Sequence, residues 1–155
     1  MLALALVLAA LPVYAPAPQS SGTPVAVVGG RDGADAVIVR SRSTNTAGWE
    51  LHVTPNGHTT LNQADLPVRR TVSVALTTRF FRDLHAAGNL ARLPVSFCMK
   101  SVSFGTTTRI VYHGVTSPDL SCPGRSNAAR VLMSDADALA NAAGVSIAPA
   151  PRAEY

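Results

Sequence analysis

Charged and aromatic residues are scarce in this chain. Of its 155 residues, 14% are charged and 5% are aromatic, whereas 47% are hydrophobic. This composition excludes a coiled coil, a linker of mixed charges and a disordered chain. Thirteen basic and nine acidic residues give a net charge of +4, and Lys100 is the single lysine. Since the length allows one domain, we expect a single small, basic domain.

The motifs that carry common enzyme chemistry are absent as well. The chain contains no G-x-S-x-G, S-x-x-K, H-E-x-x-H or C-x-x-C motif, so it has no signature of a serine hydrolase, a zinc protease or a thioredoxin-like enzyme. The stretch VAVVGGRDG at 25–33 has glycines without the spacing of a dinucleotide-binding loop. No aromatic residues alternate with the arginines as platforms for bases. We therefore expect no cofactor, no metal ion and no nucleic-acid partner.

The N-terminal end is an apolar run, MLALALVLAALPVYAPA at 1–17, and the first charge is Arg31. The run is typical of a signal peptide and is short for a transmembrane helix, which needs about 18 or more apolar residues. We predict an exported protein, periplasmic or secreted, whose only membrane span is this segment if it stays uncleaved as an anchor. Residues 18–33 are predicted as a flexible linker, 34–147 as a single α+β domain and 148–155 as a mobile tail.

Cysteine is rare, and the two cysteines of the chain are Cys98 and Cys122. Export places them in an oxidising compartment, where such a pair forms a disulfide. Closing a loop of about 25 residues stabilises a fold by about 3 kcal/mol through chain entropy. We therefore predict one disulfide between Cys98 and Cys122.

Residues 49–61 have the pattern of a β-hairpin with a TPNG turn. A two-residue turn would place Leu51 and Leu61 on opposite faces of the hairpin. A type I turn followed by a glycine bulge places them on the same face, and only this register gives one apolar face. We predict the bulged register, in which His52 and His58 are exposed together on the outer face.

Two segments have helical periodicity. The first is ALTTRFFRDLHAAG at 75–88, in which Phe80 and Leu84 lie on the apolar face and a glycine ends the helix. The second runs from 127 to 143 and has Ser126 as its N-cap. Because the first helix and the hairpin each present an apolar face that needs a partner, we predict that they share one core.

The remaining strands complete the predicted fold. A strand at 36–42 precedes the hairpin, and an extended segment at 68–74 follows it. Residues 95–104 and 107–115 are predicted as a second hairpin, whose register stays open because the apolar parity changes near Lys100. Antiparallel strand pairs with two helices predict an α+β fold, a four- to five-stranded antiparallel sheet of hairpins with the two helices on one face.

One part of the chain resembles a known group of proteins. The runs CMKSVSFG at 98–105 and SPDLSCP at 117–123 resemble a group of exported bacterial proteins of unknown function. The resemblance implies export and a small α+β fold. It implies no activity.

The loop at 117–123 is the predicted site, because loops held by a rigid scaffold often bind partners. We expect a non-enzymatic monomer that binds a protein or small-molecule partner there, and a purely structural loop is the alternative. The candidate binding residues are Lys100, Ser117, Asp119 and Ser121. A second hypothesis is a small cell-envelope hydrolase or metal-dependent enzyme, which would use Lys100, Ser101, Ser103, His113 and Asp119.

Overall fold

The computed structural model describes residues 35–63 and 66–145. The predicted signal peptide, linker and tail lie outside these residues, so they stay predictions. A short 3₁₀ turn at Leu90–Arg92 follows the first helix. The strands and helices, in chain order, are β1 (Ala36–Arg40), β2 (Trp49–Val53), β3 (His58–Gln63), β4 (Leu66–Thr71), α1 (Val74–Ala87), β5 (Thr108–Tyr112), β6 (Val115–Thr116) and α2 (Asn127–Ala142).

The strands form one six-stranded antiparallel sheet in the order β4-β3-β2-β1-β5-β6. This confirms the predicted α+β class, but the predicted count of four to five strands is too low. The extended segment after the first hairpin is a full strand, β4, at one edge of the sheet. At the other edge, β6 has two residues, too few to carry a periodic pattern in the sequence.

The predicted register of the first hairpin is confirmed. Leu51 pairs with Leu61 and His52 pairs with Thr60, so the two leucines share a face. Gly57 has a φ of 88°, which only glycine adopts without strain. A Cβ atom at this position would lie 2.6 Å from the backbone oxygen of Val72. The bulge therefore depends on glycine for both its backbone conformation and its space.

The predicted second hairpin is wrong in its first strand. Residues 95–104 form no strand, and β5 pairs instead with β1 on one side and β6 on the other. The hairpin that does form is β5–β6, and its turn residues His113 and Gly114 have φ values of 49° and 74°. Ile110 of β5 faces Ile38 of β1 in the register. β1 therefore provides the apolar partner that the sequence pattern had assigned to residues 95–104.

The two helices agree with the predicted limits to within one residue and join the hairpin in one core. Gly88 follows α1 with a φ of 68°, and the Ser126 hydroxyl accepts a hydrogen bond of 3.2 Å from the N–H of Ala129 at the start of α2. Within the described residues, neither helix is long and apolar enough to cross a bilayer. The predicted shared core is confirmed, and it includes Trp49, Leu51, Val53, Phe80, Leu84, Ile110, Leu132 and Leu139.

Candidate functional site

The candidate site lies where two loops meet beside β5 and β6. One is the apolar loop, residues 93–107, and the other is residues 117–126. The Cα atoms of Cys98 and Cys122 are 5.7 Å apart and their sulfur atoms are bonded, which confirms the predicted disulfide. The N–H of Ser96 also donates to the carbonyl of Cys122 at 2.9 Å. A covalent bond and a backbone hydrogen bond therefore hold the two loops together.

Lys100 is the centre of a polar cluster that joins the same two loops. Its ammonium contacts the Asp119 carboxylate, the Ser121 hydroxyl and, at 2.6 Å, the carbonyl of Thr106. The Lys100 and Asp119 side chains are 23% and 22% exposed. The structure thus brings together three of the four predicted binding residues, and they contact one another. We call Lys100, Asp119 and Ser121 the Lys100 cluster.

Asp119 accepts hydrogen bonds from several directions. The backbone N–H groups of Thr108 and Ser121 donate to its Oδ1 at 3.0 and 3.1 Å, and the Ser121 hydroxyl donates to the same atom at 2.7 Å. Burial raises the pKa of Asp119, but the hydrogen bonds from Lys100, Ser121 and the backbone outweigh it. The pKa therefore lies below the usual value of an aspartate, and Asp119 is the anion that balances the Lys100 ammonium.

Ser117, the fourth predicted binding residue, does not belong to the Lys100 cluster. It is buried, and its hydroxyl accepts a hydrogen bond of 2.9 Å from the N–H of Ile110 and donates to the carbonyl of Pro118. This hydroxyl therefore satisfies a backbone group of β5.

Of the five residues of the hydrolase hypothesis, the described structure brings Lys100 and Asp119 into contact. The Ser101 hydroxyl accepts a hydrogen bond from the N–H of Ser103, and His113 lies in the β5–β6 turn with its ring 4.0 Å from that of Tyr112. Among the described residues, no hydrogen bond joins Ser101 or Ser103 to His113 or Lys100. Ser121 does touch Lys100, but an ammonium paired with a carboxylate donates protons and does not serve as a base.

The apolar loop exposes large hydrophobic side chains. Their exposed fractions are 96% for Phe97, 92% for Met99, 86% for Val102 and 65% for Phe104. The sequence pattern did not predict this surface, because residues 95–104 were predicted as a strand of the second hairpin whose register stayed open. The signals that could have found it are the parity change at Lys100 and the cysteine within the same stretch.

The sheet also has an outer face, which carries His52 and His58. The predicted shared face is confirmed by the register, but only His58 is exposed. His52 is half-buried and its Nε2 lies 2.6 Å from the Glu50 carboxylate. In the described part of the chain, no cluster of three or more histidine, cysteine or acidic residues is placed to hold a metal ion.

Two other features contain none of the exposed side chains of the apolar loop. A cavity of about 300 Å³ is lined by Arg40, Trp49 and Asp137, among others, and contains none of the predicted site residues. Between the helices, Arg79 of α1 donates to Asp135 of α2 at 2.8 Å. Burial raises the pKa of Asp135, and Arg79 opposes this without reversing it. The Arg79–Asp135 pair joins the two helices. In the cavity, Arg40 and Asp137 form an ion pair.

No protein-family model, curated protein or solved structure matches the chain. The resemblance to exported bacterial proteins therefore stays a prediction. The geometry of the described residues is the basis for a functional proposal.

Proposed function

We propose that this protein is an exported, non-enzymatic domain that binds a partner through the apolar loop. The observation that carries the proposal is the exposure of Phe97, Met99, Val102 and Phe104, each at 65% or more. Large apolar side chains grouped on a surface mark interaction sites in soluble proteins. A disulfide holds this segment in place, and a disulfide is compatible with an exported location.

The Lys100 cluster has a positioning role in this proposal. Lys100, Asp119 and Ser121 satisfy one another and hold the apolar loop against residues 117–126. Ser117 instead satisfies the N–H of Ile110 in β5. The Lys100 cluster therefore fixes the shape of the loop, and the apolar side chains next to it make the contact with the partner.

The form of the site favours a large partner over a small molecule. Small-molecule sites are concave and bury most of the ligand, whereas the apolar loop carries its hydrophobic side chains outward. We also propose that both helices pack on one face of the sheet, as the sequence predicts. The single core that the helices share with β1, β2, β3 and β5 supports this arrangement. An arrangement of this kind leaves the apolar loop free to bind.

A photocrosslinking experiment tests the proposal. A photoreactive amino acid replaces Met99 in the full chain, expressed and exported in a bacterium. We expect a discrete crosslinked product that is lost when Phe97→Ser and Phe104→Ser are added. The same photoreactive residue at Leu66, which is 70% exposed on β4, is the matched control and is expected to give no such product. The absence of a product at position 99, or a product that survives both serine substitutions, would contradict the proposal.

A further inference from the structure

The apolar loop is free of unpaired charge. Lys100 is the only charged residue between positions 93 and 107, and its ammonium is satisfied by Asp119, Ser121 and the carbonyl of Thr106. An unpaired charge makes entry into an apolar medium costly. The apolar loop can therefore leave water without taking an unpaired charge with it.

Exposed arginines lie in the segments next to the apolar loop. Arg42 lies between Ser41 and Ser43, which hydrogen-bond to residues 103–107 at 2.8 to 2.9 Å. Arg125 follows Gly124, which packs so closely on Ser96 that an added Cβ would lie 2.0 Å from the serine oxygen. Arg92 immediately precedes the loop.

These arginines give the rim of the apolar loop one sign of charge. Arg42, Arg92 and Arg125 are exposed, and within the described residues none of them pairs with a carboxylate. Asp119 is the only acidic residue in the segments 41–46, 92–107 and 117–126, and it is paired with Lys100. Within these three segments, the unbalanced charge is therefore positive.

Building on the proposed binding function, we propose that the partner of the apolar loop is an anionic lipid surface. Phe97, Met99, Val102 and Phe104 insert into the boundary between headgroups and acyl chains, where aromatic and aliphatic side chains are favourable. Arg42, Arg92 and Arg125 bind lipid phosphates around the inserted loop. An apolar centre within a cationic rim is complementary to an anionic bilayer in both hydrophobicity and charge.

A protein partner fits these observations less well. Specific protein interfaces add directed hydrogen bonds to their apolar centre. The ammonium of Lys100 and the carboxylate of Asp119, which could direct such bonds, are turned to each other. The apolar loop exposes hydrophobic side chains, and exposed arginines lie in the segments next to it. A bilayer can bind such a surface without shape complementarity.

Tryptophan fluorescence on vesicles tests the lipid proposal with the full chain. Trp49, the single tryptophan, is 6% exposed in the core, so Phe97→Trp adds a separate indole that reports on the apolar loop. On vesicles that contain phosphatidylglycerol and phosphatidylcholine in equal parts, we expect the emission of this indole to shift to the blue. We also expect brominated lipids to quench it. Leu66→Trp is the control for other contacts with the vesicle, including those of residues 1–17, and should not shift.

The arginine rim has its own variants. Each of Arg42→Gln and Arg125→Gln should weaken binding to the anionic vesicles about fivefold, as expected for a basic residue at an anionic surface. Arg130→Gln, an exposed arginine on α2, is the matched control and should change little. Added salt should weaken the vesicle binding of the wild-type protein more than that of the rim variants.

The outcomes separate the two proposals. Equal binding to pure phosphatidylcholine vesicles, or an unshifted Phe97→Trp emission, overturns the lipid proposal. If the crosslinked product at position 99 then contains a protein, the proposed binding function stands with a different partner. If neither a lipid nor a protein product forms there, both proposals are overturned.

Discussion

The β2–β3 hairpin and the apolar loop both alternate large apolar side chains with polar ones, yet they place them differently. In the hairpin, Leu51 and Leu61 face the core and are buried. In the apolar loop, Phe97 and Met99 are almost wholly in solvent. The hairpin has β1 on one side and β4 on the other, whereas none of the six described strands pairs with the apolar loop. Alternation therefore buries side chains only where neighbouring strands complete a sheet.

What holds each region in place differs as well. The hairpin is held by ladder hydrogen bonds and by a core that excludes water. The apolar loop is held by the Cys98–Cys122 disulfide and the Lys100 cluster, which fix its backbone and leave its side chains outside. A loop fixed in this way keeps an apolar surface available for binding without unfolding.

The largest expected effect comes from removing the same side chain in the two environments. Phe80 of α1 is fully buried in the core, so Phe80→Ala should lower the free energy of unfolding by about 3–5 kcal/mol. Phe97→Ala in the apolar loop should change it by less than about 0.5 kcal/mol. Urea unfolding followed by circular dichroism measures both. Equal losses in the two variants would show that the apolar loop is packed in solution.

The sequence predicts the hairpin well because several local requirements agree there. The alternation, the TPNG turn and the need for one apolar face all select the register in which Leu51 opposes Leu61. The helix limits could be predicted for a similar reason, since Ser126 and Gly88 are typical of helix ends. These signals lie within a few residues of the elements that they determine.

The apolar loop could not be predicted in this way because its structure depends on distant partners. Residues 95–104 satisfy a strand pattern, but the place beside β5 is taken by β1. The disulfide was predictable from the count of cysteines and the predicted compartment. The contact of Lys100 with Asp119 and Ser121 joins residues about twenty positions apart, which no periodicity records.

Reduction of the disulfide should have the next largest effect. The bond closes a loop with a sequence separation of 24 residues, so its loss should lower the free energy of unfolding by about 3 kcal/mol. The measurement is urea unfolding with and without dithiothreitol. The variant Cys98→Ala/Cys122→Ala is the control and should not respond to the reductant. If wild type and variant respond alike, the disulfide does not constrain the unfolded chain.

The two hairpin turns provide a smaller and more selective comparison. Gly57 and Gly114 both have positive φ, but a Cβ at Gly57 would lie 2.6 Å from the Val72 oxygen, whereas one at Gly114 meets nothing within 4 Å. Gly114→Ala should therefore lose about 1 kcal/mol from backbone strain alone, and Gly57→Ala about 2 kcal/mol or more. Thermal unfolding ranks the two variants. The reverse order would argue against the bulged turn.

The smallest expected effect is on the pH dependence of stability. This effect distinguishes the Lys100 cluster from the Arg79–Asp135 pair between the helices. The folded-state pKa of Asp119 is lowered, chiefly because the hydrogen bonds from Lys100 and Ser121 outweigh its burial. Its stabilisation is therefore present above the unfolded pKa of about 3.9 and is lost as the pH falls through the folded value. The pKa of Asp135 is raised, mainly by burial, so its contribution is present at low pH and is lost as the pH rises through the folded value.

Asp119→Asn should therefore flatten the rise of stability between strongly acidic pH and about pH 5, while Asp135→Asn should steepen it. The change from Asp119→Asn should amount to about 1 kcal/mol or less, because a partly exposed ion pair contributes little. Urea unfolding at a series of pH values gives the two slopes. An unchanged or steeper slope in Asp119→Asn would mean that the Lys100 cluster is not ionised as the geometry requires. The apolar loop would then carry an unpaired charge into any partner, and the lipid proposal would lose its electrostatic basis.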